Sequence, residues 1–261
     1  MTNDLPWHLQ NYKKSFTSKG RLVPAVEKVL IQEQLDSTRD TEHLHPSEIC
    51  KKDWCPRSSW YTIKGYTKQD EKFTFQRLNI FAEGHAIHQK WQKWLMDAGV
   101  LEQAEVPITD EEHRIIGHAD GIVNDSQGRA VLEIKSVGLG TIRMEMPDLF
   151  KEDLTPEEMW KRIRQPFTSH MRQLMLYMHC TGIHQGIILY EWKANQEVKE
   201  FAVKFQPELI ESVLVNCRSV VRALESGVPP MRPVWMENSS HYVCKKCPYQ
   251  KVCWKDDESV D

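Results

Sequence analysis

The sequence has no run of about 18 apolar residues, the length a helix needs to cross a bilayer, so no membrane span is expected. Its first residues, Met1-Thr2-Asn3-Asp4-Leu5-Pro6-Trp7, have no charged stretch leading into an apolar one. That argues against a secretory signal and for the cytoplasm. There is no excess of positive charge: 34 Lys and Arg stand against 37 Asp and Glu, a net charge of −3. The balance counts against a surface that binds polyanions everywhere and leaves local charge to decide. Acid is missing from one stretch in particular. Between Trp160 and Gln173 there is no Asp or Glu, while Lys161, Arg162, Arg164 and Arg172 are present. Lys13, Lys14, Lys19 and Arg21 make a second basic cluster. Seven cysteines cannot all pair, and in a reducing compartment thiols suit metal ligation better than a disulfide framework.

What is present is enough for a real core: 261 residues, 40% of them hydrophobic, with nine tryptophans, fit one large domain or two small ones. The chain is organised around Val131-Leu132-Glu133-Ile134-Lys135-Ser136. This reads as a strand whose period of two puts Glu133 and Lys135 on one face. Arg114 to Val123 is a second strand-like run and contains Asp120. Asn124-Asp125-Ser126-Gln127-Gly128 between them is turn chemistry, so a hairpin is predicted that brings Asp120 beside Glu133 and Lys135. Two carboxylates and a lysine at one sheet edge suit a hard divalent cation such as Mg²⁺, which takes oxygen ligands. Such an ion offsets charge that builds on a phosphoryl oxygen and makes a water more acidic. Glu-x-Lys by itself is more often a solvated surface pair, so its meaning depends on what surrounds it.

The flanking elements follow from periodicity and punctuation. Residues 1–23 read as a polar arm. A helix is predicted from Pro24 to Leu35, with Val26, Val29 and Leu30 on one side. Ser47 is a candidate N-cap for a short turn, and Pro56 biases Cys55 away from helical geometry. Phe73 to Ala98 reads as a long helix with a core stripe of Ile87, Trp91, Trp94 and Leu95. Gly84 and His88 lie one turn apart on a neighbouring face. Gly84 leaves room for a close approach, and His88 can ligate a metal. Gly99 ends this helix and Gln103 to Thr109 is a strand, giving a three-stranded meander with the helix packed on it.

Residues 137–168 read as largely irregular, with a loop opened by Gly138 and Gly140. Within them Thr155-Pro156-Glu157-Glu158 is a capping box that starts a basic helix through Arg164. Ser169 is a candidate cap for a helix through Cys180, where Gln173 and Tyr177 share a face one turn apart. Gly186 to Trp192 and Glu197 to Lys204 are strands. Leu209 to Leu224 is a helix with a structural Cys217, and 227–233 an extended linker. The tail carries Cys244, Cys247 and Cys253 as C-x2-C-x5-C, a spacing that aims thiolates at one metal centre. A fourth ligand is needed: Cys55 first, Cys50 second, with His241 as a substitute that would favour zinc.

Six features stand in one order: Cys-Pro-Arg at 55–57, Gly-x-x-x-His at 84–88, Gly-x-x-Asp at 117–120, Glu-x-Lys at 133–135, Gln-x-x-x-Tyr at 173–177, and the closing cysteines. The set resembles the RecB-like nucleases of the PD-(D/E)XK superfamily. More narrowly, it resembles the iron–sulfur branch that includes CRISPR-adaptation exonucleases and the AddB nuclease domain. Where that family has a proline before its Asp, Ala119 precedes Asp120.

The resemblance implies an α/β (α+β) restriction-endonuclease-like core. In it a central mixed sheet is flanked by helices, and a cluster joins the N- and C-terminal segments. It spans residues 46–255, leaving 1–45 as an unassigned arm and helix and 256–261 as an acidic tail. It implies His88, Asp120 and Glu133 as ligands of Mg²⁺ or Mn²⁺, helped by the Ile134 carbonyl. Catalysis would fall to Asp120, Glu133 and Lys135, with Lys135 on the attacking water. Gln173 and Tyr177 would contact DNA, beside the basic Lys161, Arg162, Arg164 and Arg172. Cys55, Cys244, Cys247 and Cys253 would hold a [4Fe–4S] cluster, with zinc as the alternative. The expected activity is a metal-dependent DNA exonuclease acting on single-stranded or frayed ends. It would serve recombination, repair or CRISPR-type processing in the cytoplasm of a bacterial, archaeal or virus-infected cell. The competing readings are a structure- or site-selective endonuclease and a catalytically decayed nucleic-acid-binding module. No helicase motif is present, so a helicase, recombination or CRISPR-adaptation protein is the kind of partner implied, and oligomerisation is compatible with it.

Overall fold

Two stretches of side chains with period two, joined by Ser126-Gln127, fold back on each other and set the frame of the molecule. The computed structural model describes residues 20, 22–36, 40–69 and 74–255. The basic cluster of Lys13, Lys14, Lys19 and Arg21, most of the N-terminal arm and the acidic tail lie outside the described residues. The rest falls into two compact units, one holding the described residues up to 36 together with 74–82, the other holding 40–69 and everything from Glu83 on.

In the smaller unit, α1 (Val23–Asp36) forms over the predicted span but buries no residue. Val26 and Val29 are about half exposed. In the larger unit come α2 (Pro46–Ile49) and α3 (Pro56–Ile63), then α4 (Phe75–Asp97), of which the part from Glu83 belongs here. The sheet follows as β1 (Leu101–Asp110), β2 (Ile115–Asp125), β3 (Gly128–Val137), β4 (Gln185–Trp192) and β5 (Val198–Lys204), paired in that order. The first three strands are antiparallel, β3 and β4 are parallel, and β4 and β5 are antiparallel. The β2–β3 turn is the predicted one. Asp125 Oδ1 accepts the Gln127 N–H at 2.7 Å, and Gly128 takes a φ of +103°, which glycine adopts at little cost.

A parallel pair needs a crossover. Here it runs through α5 (Leu139–Glu145), a 3₁₀ turn (Pro147–Lys151), α6 (Pro156–Arg162) and α7 (Thr168–Thr181). Then α8 (Glu208–Ser226) and the short α9 (Tyr242–Lys246) and α10 (Gln250–Lys255) close the chain. One face of the sheet packs on α4 through Ile87, Leu132, Ile134 and Leu189. The other carries the larger core, with Leu174, Met175, Met178, Tyr190 and Trp192. Gly186 lets α7 approach β4: a Cβ there would lie 2.8 Å from Leu174 Cδ2 and 2.9 Å from Met178 Sδ, both on fully buried side chains.

Some expectations are corrected. Residues 139–145 are helical where a loop was expected. Fully buried Ile142 anchors them, and the Thr141 hydroxyl reaches back to Gly138, the N-cap. Ser47 and Ser169 are not N-caps; His45 and Phe167 hold those positions, with Pro46 at the first helical residue of α2. The Ser169 hydroxyl donates instead to Glu145 Oε1 at 2.6 Å, tying α7 to α5. In α4, Ile87 is buried but Trp94 is 51% exposed, beneath the Lys90 ammonium. Nothing lies within 4 Å of where a Gly84 Cβ would be, so the expected close approach is not made by the described residues. The predicted capping box is present: Thr155 Oγ1 accepts the Glu158 N–H at 3.2 Å and Glu158 Oε2 accepts the Thr155 N–H at 2.8 Å. α6 ends at Arg162. There Lys199 caps it, donating to the carbonyls of Trp160 and Ile163 at 2.5 and 2.7 Å.

Tyr190 of β4 pairs with Lys135 of β3 and accepts the Phe167 N–H at 2.9 Å. Its own O–H is therefore free to donate to His170 Nδ1, 2.7 Å away, which assigns the His170 proton to Nε2. Burial, then the charge of Lys135, push the His170 pKa down to about 3. An unfolded histidine titrates near 6.5, so the unfolded chain binds the extra proton first as pH falls. This contribution to stability is complete above about pH 6.5 and is lost between there and about pH 3. Glu133, raised to about 7, works in the opposite sense. The effect is therefore read against His170→Gln. In urea unfolding, the wild-type advantage should shrink by roughly 2 kcal/mol between pH 6.5 and 5. A pH-independent difference would show that His170 does not resist protonation.

Candidate functional site

The ladder between β2 and β3 runs from Asp125 opposite Gly128 to Gly121 opposite Leu132. One residue further a side chain takes over: Asp120 Oδ2 accepts the Ile134 N–H at 2.6 Å. Asp120 Oδ1 lies 3.2 Å from His88 Nδ1, and the Asp120 carbonyl accepts from Gln92 Nε2 at 2.9 Å. His88 and Gln92 are one turn apart on α4, so one helix face holds Asp120 by its carboxylate and its backbone. Gln92 escaped the sequence reading, although its spacing from His88 was visible. Burial works to lower the His88 pKa, but the hydrogen bond and charge of Asp120 outweigh it and raise it.

Glu133 is 0% exposed. Burial pushes its carboxyl up to about 7, against the pull of Lys135. The two are ion-paired through Glu133 Oε1 and Lys135 Nζ. Apart from that pair, neither Glu133 oxygen has a hydrogen-bond partner among the described residues. Burial also works to lower the Lys135 pKa, but Glu133 and Asp120 together raise it, so Lys135 stays an ammonium. Its side chain is 21% exposed. A buried carboxylate with so few donors is costly, and its chemistry fits a cation.

α7 brings the remaining predicted residues to the same side of the sheet. Gln173 and Tyr177 are buried, and Gln173 Nε2 donates to the Tyr177 hydroxyl at 2.9 Å. Burial first, then the charges of Glu133 and Asp120, raise the Tyr177 pKa well above its usual value. Arg172 has a buried Nε with no hydrogen-bond partner among the described residues. Its charge reaches Cys50, as do those of Glu133 and Lys135, while burial dominates in raising that thiol. Lys161, Arg162 and Arg164 are exposed, and Arg162 is engaged by Glu152 at 2.6 Å.

Cys55, Cys244, Cys247 and Cys253, all free thiols, line one cavity of about 250 Å³. Cys55 is extended (φ −111°, ψ 108°) at the start of α3, with Pro56 behind it, as the sequence implied. Burial pushes its thiol up to about 11. Cys50 points into the core and His241 packs between Trp235 and Tyr242; neither lines the cavity. The tail is also joined to α3 directly. Tyr61 and Tyr249 stack at 5.5 Å, and the Thr62 and Tyr249 hydroxyls are 3.0 Å apart. Among the described residues, no three His, Cys, Asp or Glu side chains stand at the spacing that holds a metal ion, here or around Asp120.

No protein-family model matches the sequence, and no curated protein does. Solved structures do. The chain is similar to the protein SSO0001, at 15% identity over 90% of this chain and 96% of that one, with a TM-score of 0.50. What is shared is the fold. The alkaline exonuclease LHK-Exo from Laribacter hongkongensis is similar at 14% identity, over 72% of this chain and 90% of that one, TM-score 0.42. A phage-related exonuclease from Haemophilus somnus is similar at 14% identity, over 66% and 81%, TM-score 0.39. The mixed five-stranded sheet flanked by helices is the architecture expected from the sequence. No helix among the described residues is long and apolar enough to cross a membrane.

Proposed function

We propose that the protein is a metal-dependent DNA exonuclease of the PD-(D/E)XK type, acting on single-stranded or frayed ends. The observation that carries this reading is Glu133: a fully buried carboxylate with no hydrogen-bond donor among the described residues beyond its Lys135 ion pair, beside the Asp120–His88 pair. A Mg²⁺ or Mn²⁺ ion bound by Asp120, Glu133 and His88, with the Ile134 carbonyl, would supply the charge that offsets the developing negative charge on the phosphodiester. A histidine in the set leans toward Mn²⁺. Lys135, held as an ammonium by Glu133, orients the attacking water and supports the charge that builds as it adds. Arg172, whose Nε has no partner among the described residues, is the strongest candidate for the phosphate of the DNA, and Lys161 and Arg164 extend its charge outward. Arg162 contributes least, because Glu152 already holds it. Gln173 and Tyr177, on the Arg172 helix, are buried and bonded to each other, so they would contact the DNA only where it enters the site beside the scissile bond.

Cys55, Cys244, Cys247 and Cys253 are proposed as ligands of a [4Fe–4S] cluster with a structural role. Four thiols around one cavity of about 250 Å³ leave room for a cluster. Zinc, with Zn–S bonds near 2.3 Å, would need the sulfurs drawn in around one ion. The setting would be recombination, repair or CRISPR-type processing in the cytoplasm, with a partner protein from those systems.

The test is cleavage of end-labelled single-stranded linear DNA and of closed circular DNA, with Mn²⁺ or Mg²⁺ and with chelator, for wild type and Asp120→Asn. Progressive shortening of the linear substrate alone, lost in the variant and with chelator, is the expected result. Cutting of the circle would make the protein an endonuclease. Binding without cleavage under every condition would leave the nuclease reading without support and favour a nucleic-acid-binding module.

A further inference from the structure

The segment between α8 and α9 has no regular structure, and much of it faces solvent: Met231 is 90% exposed and Val234 97%. Arg232 between them does the opposite. Its Nε donates to Cys253 Sγ at 3.4 Å, within reach for a sulfur acceptor. One terminal nitrogen donates to the Cys253 carbonyl. The guanidinium carbon sits 4.0 Å from the centroid of the Trp254 ring. Sulfur, carbonyl and ring fix the guanidinium in position, plane and rotation, which a lysine ammonium could not reproduce. Two of the other cavity thiols have neutral partners: Ser58 Oγ lies 3.8 Å from Cys247 Sγ, and Cys244 Sγ lies 3.6 Å from Met236 Sδ. Lys51 and Lys246 also line the cavity, but it is Arg232 that places a charged N–H on a cysteine sulfur.

We propose that Arg232 is a positioning residue of the cysteine centre: it aims the Cys253 sulfur and holds a fixed positive charge against the negative charge of the bound metal centre. This role presupposes the four-cysteine centre proposed above. An N–H donated to a ligand sulfur draws charge off it and favours the more reduced, more negative state of a cluster, raising its reduction potential. For zinc, the same contact slows loss of the metal.

The full chain is purified without oxygen as wild type, Arg232→Lys and Arg232→Gln, and its iron, sulfide and zinc are measured. With iron present, the midpoint potential is read by a redox titration. It is expected to move to lower values in Arg232→Gln and by less in Arg232→Lys, with iron content retained. With zinc present, transfer to a chromogenic chelator is expected to quicken by roughly tenfold or more in Arg232→Gln. An unchanged potential, or an unchanged zinc transfer rate, in metal-loaded variants overturns the role of Arg232 alone. A wild type holding neither metal overturns the four-cysteine centre and this role with it. If Arg232→Gln does not fold, Trp254→Leu, which removes the ring beneath the guanidinium, should shift the same readout in the same direction; no shift there counts against the proposal.

Discussion

Glu133→Gln should reduce DNA cleavage by about a thousandfold or more while the protein still folds. If Glu133 holds the proposed charge-stabilising ion, its loss removes several kcal/mol at the transition state, and each 1.36 kcal/mol is a factor of about ten. The side chain keeps its size, so the core around it is not disturbed. Stability in chelator gives the second half of the result. Glu133 and Lys135 satisfy each other in the sheet face, so removing either partner leaves the other exposed to the cost of burial. Lys135→Met should therefore lower both cleavage and stability. Glu133→Gln combined with Lys135→Met should recover part of the lost stability with no cleavage, a coupling that a double-mutant cycle would measure. Cleavage by Glu133→Gln near the wild-type rate would remove Glu133 from the active site.

Cys244→Ala, Cys247→Ala, Cys253→Ala and Cys55→Ala should each strip the protein of metal and leave it poorly soluble. Cys50→Ala and Cys217→Ala should keep metal content at the wild-type level. The contrast follows from position: the first four line one cavity, the other two are buried in the core away from it. The expected stability loss is several kcal/mol, because a structural metal centre contributes its binding energy directly to folding. Here it would join α3 to the tail, which also meet through Tyr249 with Tyr61 and Thr62 and through Cys247 with Ser58. Absorption near 400 nm with a brown colour would mark iron–sulfur, while zinc is colourless. A variant among the first four that is soluble and retains its full metal content would sink the assignment of that residue.

Much of the frame was legible because it rests on local signals. All five strands fall on runs read as strands, Gly99 and Gly182 ended their helices with φ near +70°, and Thr155 to Glu158 formed the capping box. The placing of Asp120 beside the strand that carries Glu133 followed from one short turn, since a two-residue connection fixes register. Other features were not legible because they depend on partners far along the chain. Helix 139–145 forms around one buried isoleucine, with little periodicity to advertise it. Ser47 and Ser169 looked like caps by residue type, but a proline and the core placed the helix starts earlier. Gln173 and Tyr177 share a face as predicted, yet bond to each other beneath the surface. Arg232 carried no motif at all; its meaning lies in where the linker passes Cys253.

The single parallel junction of the sheet bears on how the molecule assembles in time. β1, β2 and β3 are joined by short turns and can close early, as can β4 with β5. The β3–β4 seam is different: Val131 meets Gly186 and Val137 meets Trp192, so every contact across it waits for the whole crossover to be gathered in. Loop-closure entropy makes such non-local pairing slow. Glu133 and Lys135 sit on that seam, so the proposed active-site face should form in the last kinetic phase of refolding. A chain caught before that step would present a zipped hairpin carrying its carboxylates in water.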